Sequence, residues 1–205
     1  MKRTIILIAG GSGSGKTTLA DELRKSFPNG VCEAVSSDNY YREFAESPAD
    51  HNFDEPDAYD LERLARDVRA LHEGETIQKI EWSFDERKRQ TLAEFIPASD
   101  ATRIVVVEGL FTLYVEEIRA LADLKIFIDL DPKEGVARRL RRDQKTNERP
   151  TESFDKTGRI ARDVLPGYEK YVFPTKRFAD RVVHNDARED FSEIVRFVAE
   201  AYREG

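Results

Sequence analysis

The segment "GGSGSGKT", residues 10–17, places glycine and serine where a packed core has no use for them, then a lysine and a threonine at a helix start. Glycine costs backbone entropy and buries no side chain. The spacing G-x-x-x-x-G-K-[ST], with Gly10, Gly15, Lys16 and Thr17 at its fixed positions, is that of a phosphate-binding loop. Bare backbone across Gly11, Ser12, Gly13, Ser14 and Gly15 lets consecutive N–H groups curl around phosphate oxygens. The helix that follows adds the partial positive charge of its N-terminus, carrying Thr18 in its first turn. Lys16 brings a mobile charge to the outer phosphates, and the Thr17 hydroxyl can ligate Mg²⁺. Glu108, ending the apolar run "IVVVEG", stands where strand ends open onto the ligand crevice of α/β sheets. There it would contact the same Mg²⁺ through water.

A loop of this kind works only between a buried strand and a helix, and the flanking sequence supplies both. "TIILIAG" (4–10) reads as a buried first strand and "TTLADELRKSF" (17–27) as the helix after the loop. Further short apolar runs, "VCEAVS", "RIVVVEG" (103–109), "LKIFIDL" (124–130) and "DRVVHN", read as strands. Their alternation with helical patterns predicts a mostly parallel central sheet covered on both faces, a three-layer α/β fold. Leu61, Leu64, Val68 and Leu71 recur at spacings of three and four, one apolar face of a helix closed by Gly74. "ETIQKIEWSF" (75–84) reads as an antiparallel or edge-like strand because polar residues interrupt it. "VEEIRALA" (115–122) reads as a short helix, and Asp131-Pro132 starts another. The rest is a helix interrupted near Pro166, the last strand, and an amphipathic closing helix.

At 205 residues the chain suits a single domain. A net charge of −7 argues against a general nucleic-acid or membrane-surface binder. Its apolar runs are far too short to span a bilayer. The N-terminal run leads straight into the loop with no cleavage-site pattern. The lone Cys32 excludes an internal disulfide framework and fits a reducing compartment, so a cytoplasmic location is expected. His51, His72 and His184 show no metal-ligand spacing and read as surface residues. Against this acidic background, the run 138–149, "RRLRRDQKTNER", carries six Lys or Arg and two acids. In a chain with a phosphate loop, that concentration points to anion contact rather than to a solvated face alone.

A phosphate loop does not by itself choose between a kinase, a GTPase switch and a mechanical ATPase. The guanine-reading N-K-x-D pattern is absent, and the D-x-x-G match at 155–158 follows no buried strand. A small-molecule kinase is favoured.

The chain resembles the uridine kinase (uridine–cytidine kinase) family over most of its length. The residues that carry the likeness are "GGSGSGKTT", "SSDNYYR" (36–42), "NFDEPDAYD" (52–60), "VVVEGLFTLY" (105–114), "KIFIDLD" (125–131), "ARRLRRD" (137–143) and "PTKRFAD" (174–180). The resemblance implies one P-loop kinase domain over 1–205, with the acceptor region at about 36–90, a small base-reading hairpin, and a basic helical lid at about 132–172. It implies ATP and Mg²⁺ as cofactors, a nucleoside acceptor, and a family that often assembles as homo-oligomers. Asp38 would face the acceptor 5′-hydroxyl, ionised at neutral pH and able to take or orient its proton. Asp54 would accept hydrogen bonds from the ribose hydroxyls, and Tyr41 would line the nucleoside pocket. Arg139 and Arg142 would clamp phosphates from the lid, with Arg149 a further candidate. Arg138 and Arg141 make the neighbouring, more solvated face.

Two segments depart from the family pattern. "NERP" replaces the usual "ERGR" at the distal lid. Where the family has Tyr-Asp-Phe followed by His in its hairpin, this chain has Trp82-Ser83-Phe84 and Arg87. Neutral His donates or accepts, whereas Arg only donates. A donor suits the C4 carbonyl of uracil and leaves the cytosine amino group without a partner, so a preference for uridine is expected. The altered hairpin also keeps open a kinase of another small alcohol, such as a different nucleoside or a phosphorylated sugar. A nucleotide-binding regulatory protein is the third alternative, although a pure switch needs neither Asp38 nor Asp54.

Overall fold

The computed structural model describes residues 1–44, 51–83, 86, 88–146, 158–186 and 190–202. Five strands, β1 (Thr4–Gly10), β2 (Cys32–Ser36), β5 (Ile104–Glu108), β6 (Leu124–Asp129) and β7 (Arg181–His184), pair in parallel in the order β2-β5-β1-β6-β7. Strand β1 sits between two neighbours and beneath helices on both faces, which is why its apolar run is unbroken: Ile5 to Ala9 are all fully buried. The period of two divides them. Ile5, Leu7 and Ala9 join Val105, Val107 and Phe127 in a core under α2 (Leu61–Glu73) and α3 (Glu116–Leu121). Ile6 and Ile8 join Val106, Ile126 and Ile128 under α1 (Lys16–Ser26) and the closing helix α5 (Ser192–Tyr202).

Helix α2 begins at Asp60, whose side chain accepts from the Arg63 N–H at 3.2 Å, and ends at Gly74 in the left-handed conformation. Leu64, Val68 and Leu71 are its buried stripe. The polar-interrupted segment forms β3 (Ile77–Ser83), antiparallel to β4 (Lys88–Ile96) in a separate two-stranded sheet. Ile77, Ile80 and Trp82 turn inward, while β4 is mostly exposed. The Trp82 N–H donates to Asn39 Oδ1 at 3.3 Å and docks the hairpin on the turn after β2.

Helix α4 (Pro132–Thr146) starts with proline in its first turn. Its first turn is packed against the phosphate loop backbone to backbone: a Cβ on Gly13 would lie 2.0 Å from the Gly135 carbonyl oxygen. Around Pro166 the expected interruption is a widening instead. Turns of π-helix at Ile160–Val164 and Tyr168–Val172 flank Leu165–Gly167, and a 3₁₀ segment follows at Phe173–Phe178. Proline cannot donate to the carbonyl four residues back and collides with it. A wider turn carries the chain past without ending the helix. Val164, Tyr168 and Val172 are buried, so this stretch is part of the body.

Leu64 is fully buried between α2 and the sheet. Leu64→Ala should cost about 2–5 kcal/mol in urea unfolding. A loss below about 1 kcal/mol would show that α2 is not integral to the core.

Candidate active site

The C-terminal ends of β1, β2, β5 and β6 lie on one edge of the sheet, and each delivers part of the site. Strand β1 runs into the phosphate loop, β2 into the 3₁₀ turn Ser37–Tyr40 that carries Asp38, and β5 ends at Glu108. Strand β6 leads into α4 and its arginines. Between them lies a cavity of about 280 Å³, lined by Ser12, Gly13, Gly15, Lys16, Thr17, Thr18, Asp38, Tyr41, Asp54, Glu108, Leu110, Arg138, Arg139 and Arg142. Five segments distant in sequence thus converge on one space.

Lys16 Nζ donates to the Gly11 carbonyl at 2.8 Å, folded back over the loop it belongs to. Its burial lowers the ammonium's pKa, and the Glu108 and Asp38 carboxylates act in the opposite direction. Thr17 Oγ1 donates to Glu108 Oε1 at 3.3 Å. Burial and the Asp38 charge raise the Glu108 carboxyl above its usual range, while Lys16, Ser36 and Thr17 lower it. A hydroxyl and a carboxylate side by side form a hard, all-oxygen donor set, which suits Mg²⁺. Arg139 Nη1 donates to Ser12 Oγ at 3.0 Å, tying α4 to the phosphate loop. Arg142 lines the same cavity one turn on and is exposed. Asn185 Nδ2 donates to the Ser14 carbonyl at 2.8 Å and anchors the loop from beyond β7.

Asp38 does not serve as the cap of its turn. Ser36 does, its Oγ accepting from the Asp38 N–H at 3.3 Å, which leaves the carboxylate facing the cavity. Asp54 is 5% exposed, on a loop shaped by the Asp54 N–H donating to Asn52 Oδ1 at 2.9 Å. Its Oδ2 is buried with no hydrogen-bond partner among the described residues. An orphaned acceptor aimed at a polar cavity fits a ligand that brings hydroxyl donors. Tyr41 lies beside it, its hydroxyl accepting from Tyr59 at 2.5 Å. Trp82 is buried and does not line the cavity; it packs behind Tyr41 with ring centroids 5.6 Å apart. Arg87 and Arg149 lie outside the described residues.

Two expectations change. Arg138 is not a solvated residue: it lines the cavity, bonds Glu134 at 3.2 Å and the Asn185 carbonyl at 3.0 Å, and so bridges α4 to the end of β7. Arg141 is 61% exposed and pairs with Glu134, as a solvated face requires. Nor are all three histidines surface groups. His184 is exposed, but His51 is half-buried and stacked on Phe44 at 3.8 Å, and the half-buried His72 has its Nδ1 3.1 Å from the Arg3 carbonyl. Asn185, Arg159 and Asp163 also support the site without having been marked by any motif, and Tyr59, inside "NFDEPDAYD", was given no role of its own. An Arg and an Asp four apart, the spacing of one helical turn, are the trace the sequence carries of the Arg159–Asp163 pair.

The sequence matches the Phosphoribulokinase / Uridine kinase family over residues 5–192. It is 35% identical over 190 residues to a uridine kinase of Borrelia hermsii, covering 89% of this chain and 88% of that one. It is 33% identical over 187 residues to a uridine kinase of Clostridium novyi, with 89% and 88% covered. The fold is similar to that of phosphoribulokinase from Rhodobacter spheroides, with a TM-score of 0.62 at 18% identity, over 92% of this chain and 73% of that one.

Burial raises the Asp54 carboxyl above its ordinary range despite the Arg139 and Arg159 charges. The native state therefore holds the Asp54 proton more tightly than the unfolded chain does. Stability from this group is full below the unfolded carboxylate pKa of about 4 and is lost as pH rises through the native value. Asp54→Asn should accordingly melt at a higher temperature than the parent at pH 7, with the gap closing below about pH 4. Equal or lower melting at pH 7 would contradict a desolvated carboxylate.

Proposed function

The chain belongs to the Phosphoribulokinase / Uridine kinase family, and from this we propose that it transfers the γ-phosphoryl group of ATP to the 5′-hydroxyl of a pyrimidine nucleoside, uridine in preference to cytidine. One observation carries the reading to this chain's own atoms: an anion cradle, a cavity-facing Asp38 and a buried, orphaned Asp54 share a single cavity.

In this reading the backbone N–H groups of residues 11–18 and the Lys16 ammonium hold the donor phosphates. Thr17 and Glu108 would hold Mg²⁺, which would supply charge neutralisation to the donor phosphates. Asp54 grips the ribose hydroxyls and thereby aims the 5′-oxygen at Asp38. That oxygen forms a bond to the γ-phosphorus while the bond to the bridging oxygen breaks, and ADP leaves. The hydroxyl proton goes to Asp38. Because the transition state is loose and the proton moves late, Asp38 acts as much by orienting the oxygen as by basicity. Arg139 and Arg142 meet the charge spread over the transferring group, where guanidinium forks match its oxygens. Exclusion of water by the lid suppresses hydrolysis.

The uridine preference rests on Arg87 standing where the family has a histidine, a donor-only group opposite the C4 substituent. Kinases of other small alcohols are disfavoured by the close match to uridine kinases over nearly the whole chain.

Asp38→Asn should leave ATP affinity near the parental value and lower turnover by roughly 10²–10⁴. Unchanged turnover would remove Asp38 from the chemistry. A panel of uridine, cytidine and phosphorylated sugars with Mg-ATP, read by product detection, should show rapid transfer to uridine first. Equal use of cytidine would discard the role given to Arg87, and tight nucleotide binding without transfer to any acceptor would favour a regulatory protein.

A further inference from the structure

The described residues that close over Asp54 include a stretch that no motif marks. Arg159 and Asp163, at one helical turn's spacing just before and within the first π-helical turn, are 8% and 4% exposed. Their charges pair at 3.5 Å. Arg159 also donates to the His51 carbonyl at 3.1 Å and lays its guanidinium 4.9 Å over the Phe53 ring. Both contacts fall on the loop that carries Asp54. Asp163 is gripped in turn by Arg162, two hydrogen bonds of 2.8 Å. Eight residues on from Arg159, the backbone meets the same loop again: a Cβ on Gly167 would lie 2.2 Å from the Asp54 carbonyl oxygen. The stretch therefore touches His51, Phe53 and Asp54 in succession.

Burying an ion pair is expensive, and removing only one partner leaves an uncompensated charge. A hydrophobic pair would seal this part of the body more cheaply, so the location of the charges calls for a use. We propose that the Arg159–Asp163 pair is a positioning device for Asp54: it fixes the loop that presents the carboxylate to the acceptor and supplies the counter-charge that faces it. Arg159 and Asp163 are positioning residues. Neither lines the cavity, so they act through Asp54.

Among the described residues, the groups facing the Asp54 carboxylate are Arg139 from α4, Asp38 and Tyr41 from the segment after β2, Tyr59 from the turn before α2, and Arg159 and Asp163 from the π-helical stretch. Arg159 favours the ionised form, and Asp163 opposes it. Two substitutions within one buried pair should therefore move Asp54 in opposite directions. A purely structural role predicts that both perturb it alike.

The inference rests on Asp54 being the ribose grip, and the test separates the two. The Asp54 carboxyl is titrated by ¹³C NMR in the full, ligand-free chain, its resonance assigned by Asp54→Asn. Arg159→Met should raise its pKa, and the near-isosteric Asp163→Asn should lower it. Arg159→Lys, which keeps the charge, should restore the parental direction and serves as the fallback if Arg159→Met does not fold. Shifts of the same sign, or none, would overturn the proposal. In steady-state kinetics Arg159→Met should raise KM for uridine by about 10–100-fold, the scale of a charged hydrogen bond. Its KM for ATP should stay within about a factor of two, because the phosphate loop is untouched. Opposite NMR shifts with an unchanged uridine KM would support the hold on Asp54 and overturn the ribose assignment instead.

Discussion

The site depends on keeping opposite charges close without letting them neutralise one another. Lys16, Asp38, Glu108, Asp54 and Arg139 share a cavity of about 280 Å³, where poor solvation strengthens every Coulomb interaction. Left to mobile side chains, such a set would collapse into ion pairs. Here three of the five are tethered to something else. Lys16 is bonded to the Gly11 carbonyl, Arg139 to Ser12, and Glu108 to the Thr17 hydroxyl. The carboxylates are left facing the space in which substrates meet, and burial there raises the pKa of both Asp54 and Glu108.

The fold supplies the tethers. Parallel pairing brings the ends of β1, β2, β5 and β6 to one edge, so that short loops suffice to carry the loop, Asp38, Glu108 and α4 into contact. Rigidity then comes from close backbone approach, with Gly13 against Gly135 and Gly167 against the Asp54 carbonyl. Bonds from distant side chains, such as Asn185 to Ser14 and Arg138 to the Asn185 carbonyl, complete it. Preorganisation of this kind is what lets fixed dipoles and charges act on a transition state without reorganising first.

Strands β1 and β5 were legible because a central parallel strand, buried on both faces, must be apolar at every position, as "IILIA" and "IVVV" are. Helix α2 announced itself through Leu64, Val68 and Leu71 and its terminal glycine. The phosphate loop was legible because its chemistry requires glycine at fixed spacing. What the sequence concealed were relations between segments. Arg138 looked like one more surface arginine until β7 arrived beside it to accept its hydrogen bonds. Pro166 reads as an interruption of its helix, because local chemistry does not reveal that widened turns can carry the chain past it. The Arg159–Asp163 pair joins two parts of the chain a hundred residues apart, and no local pattern encodes such a contact. Trp82 was legible as part of a hairpin but not as a residue packed behind Tyr41.

The central claim is that donor phosphates and acceptor hydroxyl meet in this one charged cleft. The most direct test is a crystal structure of the ternary complex with uridine and a non-transferable ATP analogue. The account predicts the uridine 5′-oxygen within hydrogen-bond distance of Asp38 and in line with the terminal phosphorus, with the ribose hydroxyls on Asp54. A nucleoside bound away from Asp54, or a 5′-oxygen turned from Asp38 while the phosphates fill the loop, would contradict it.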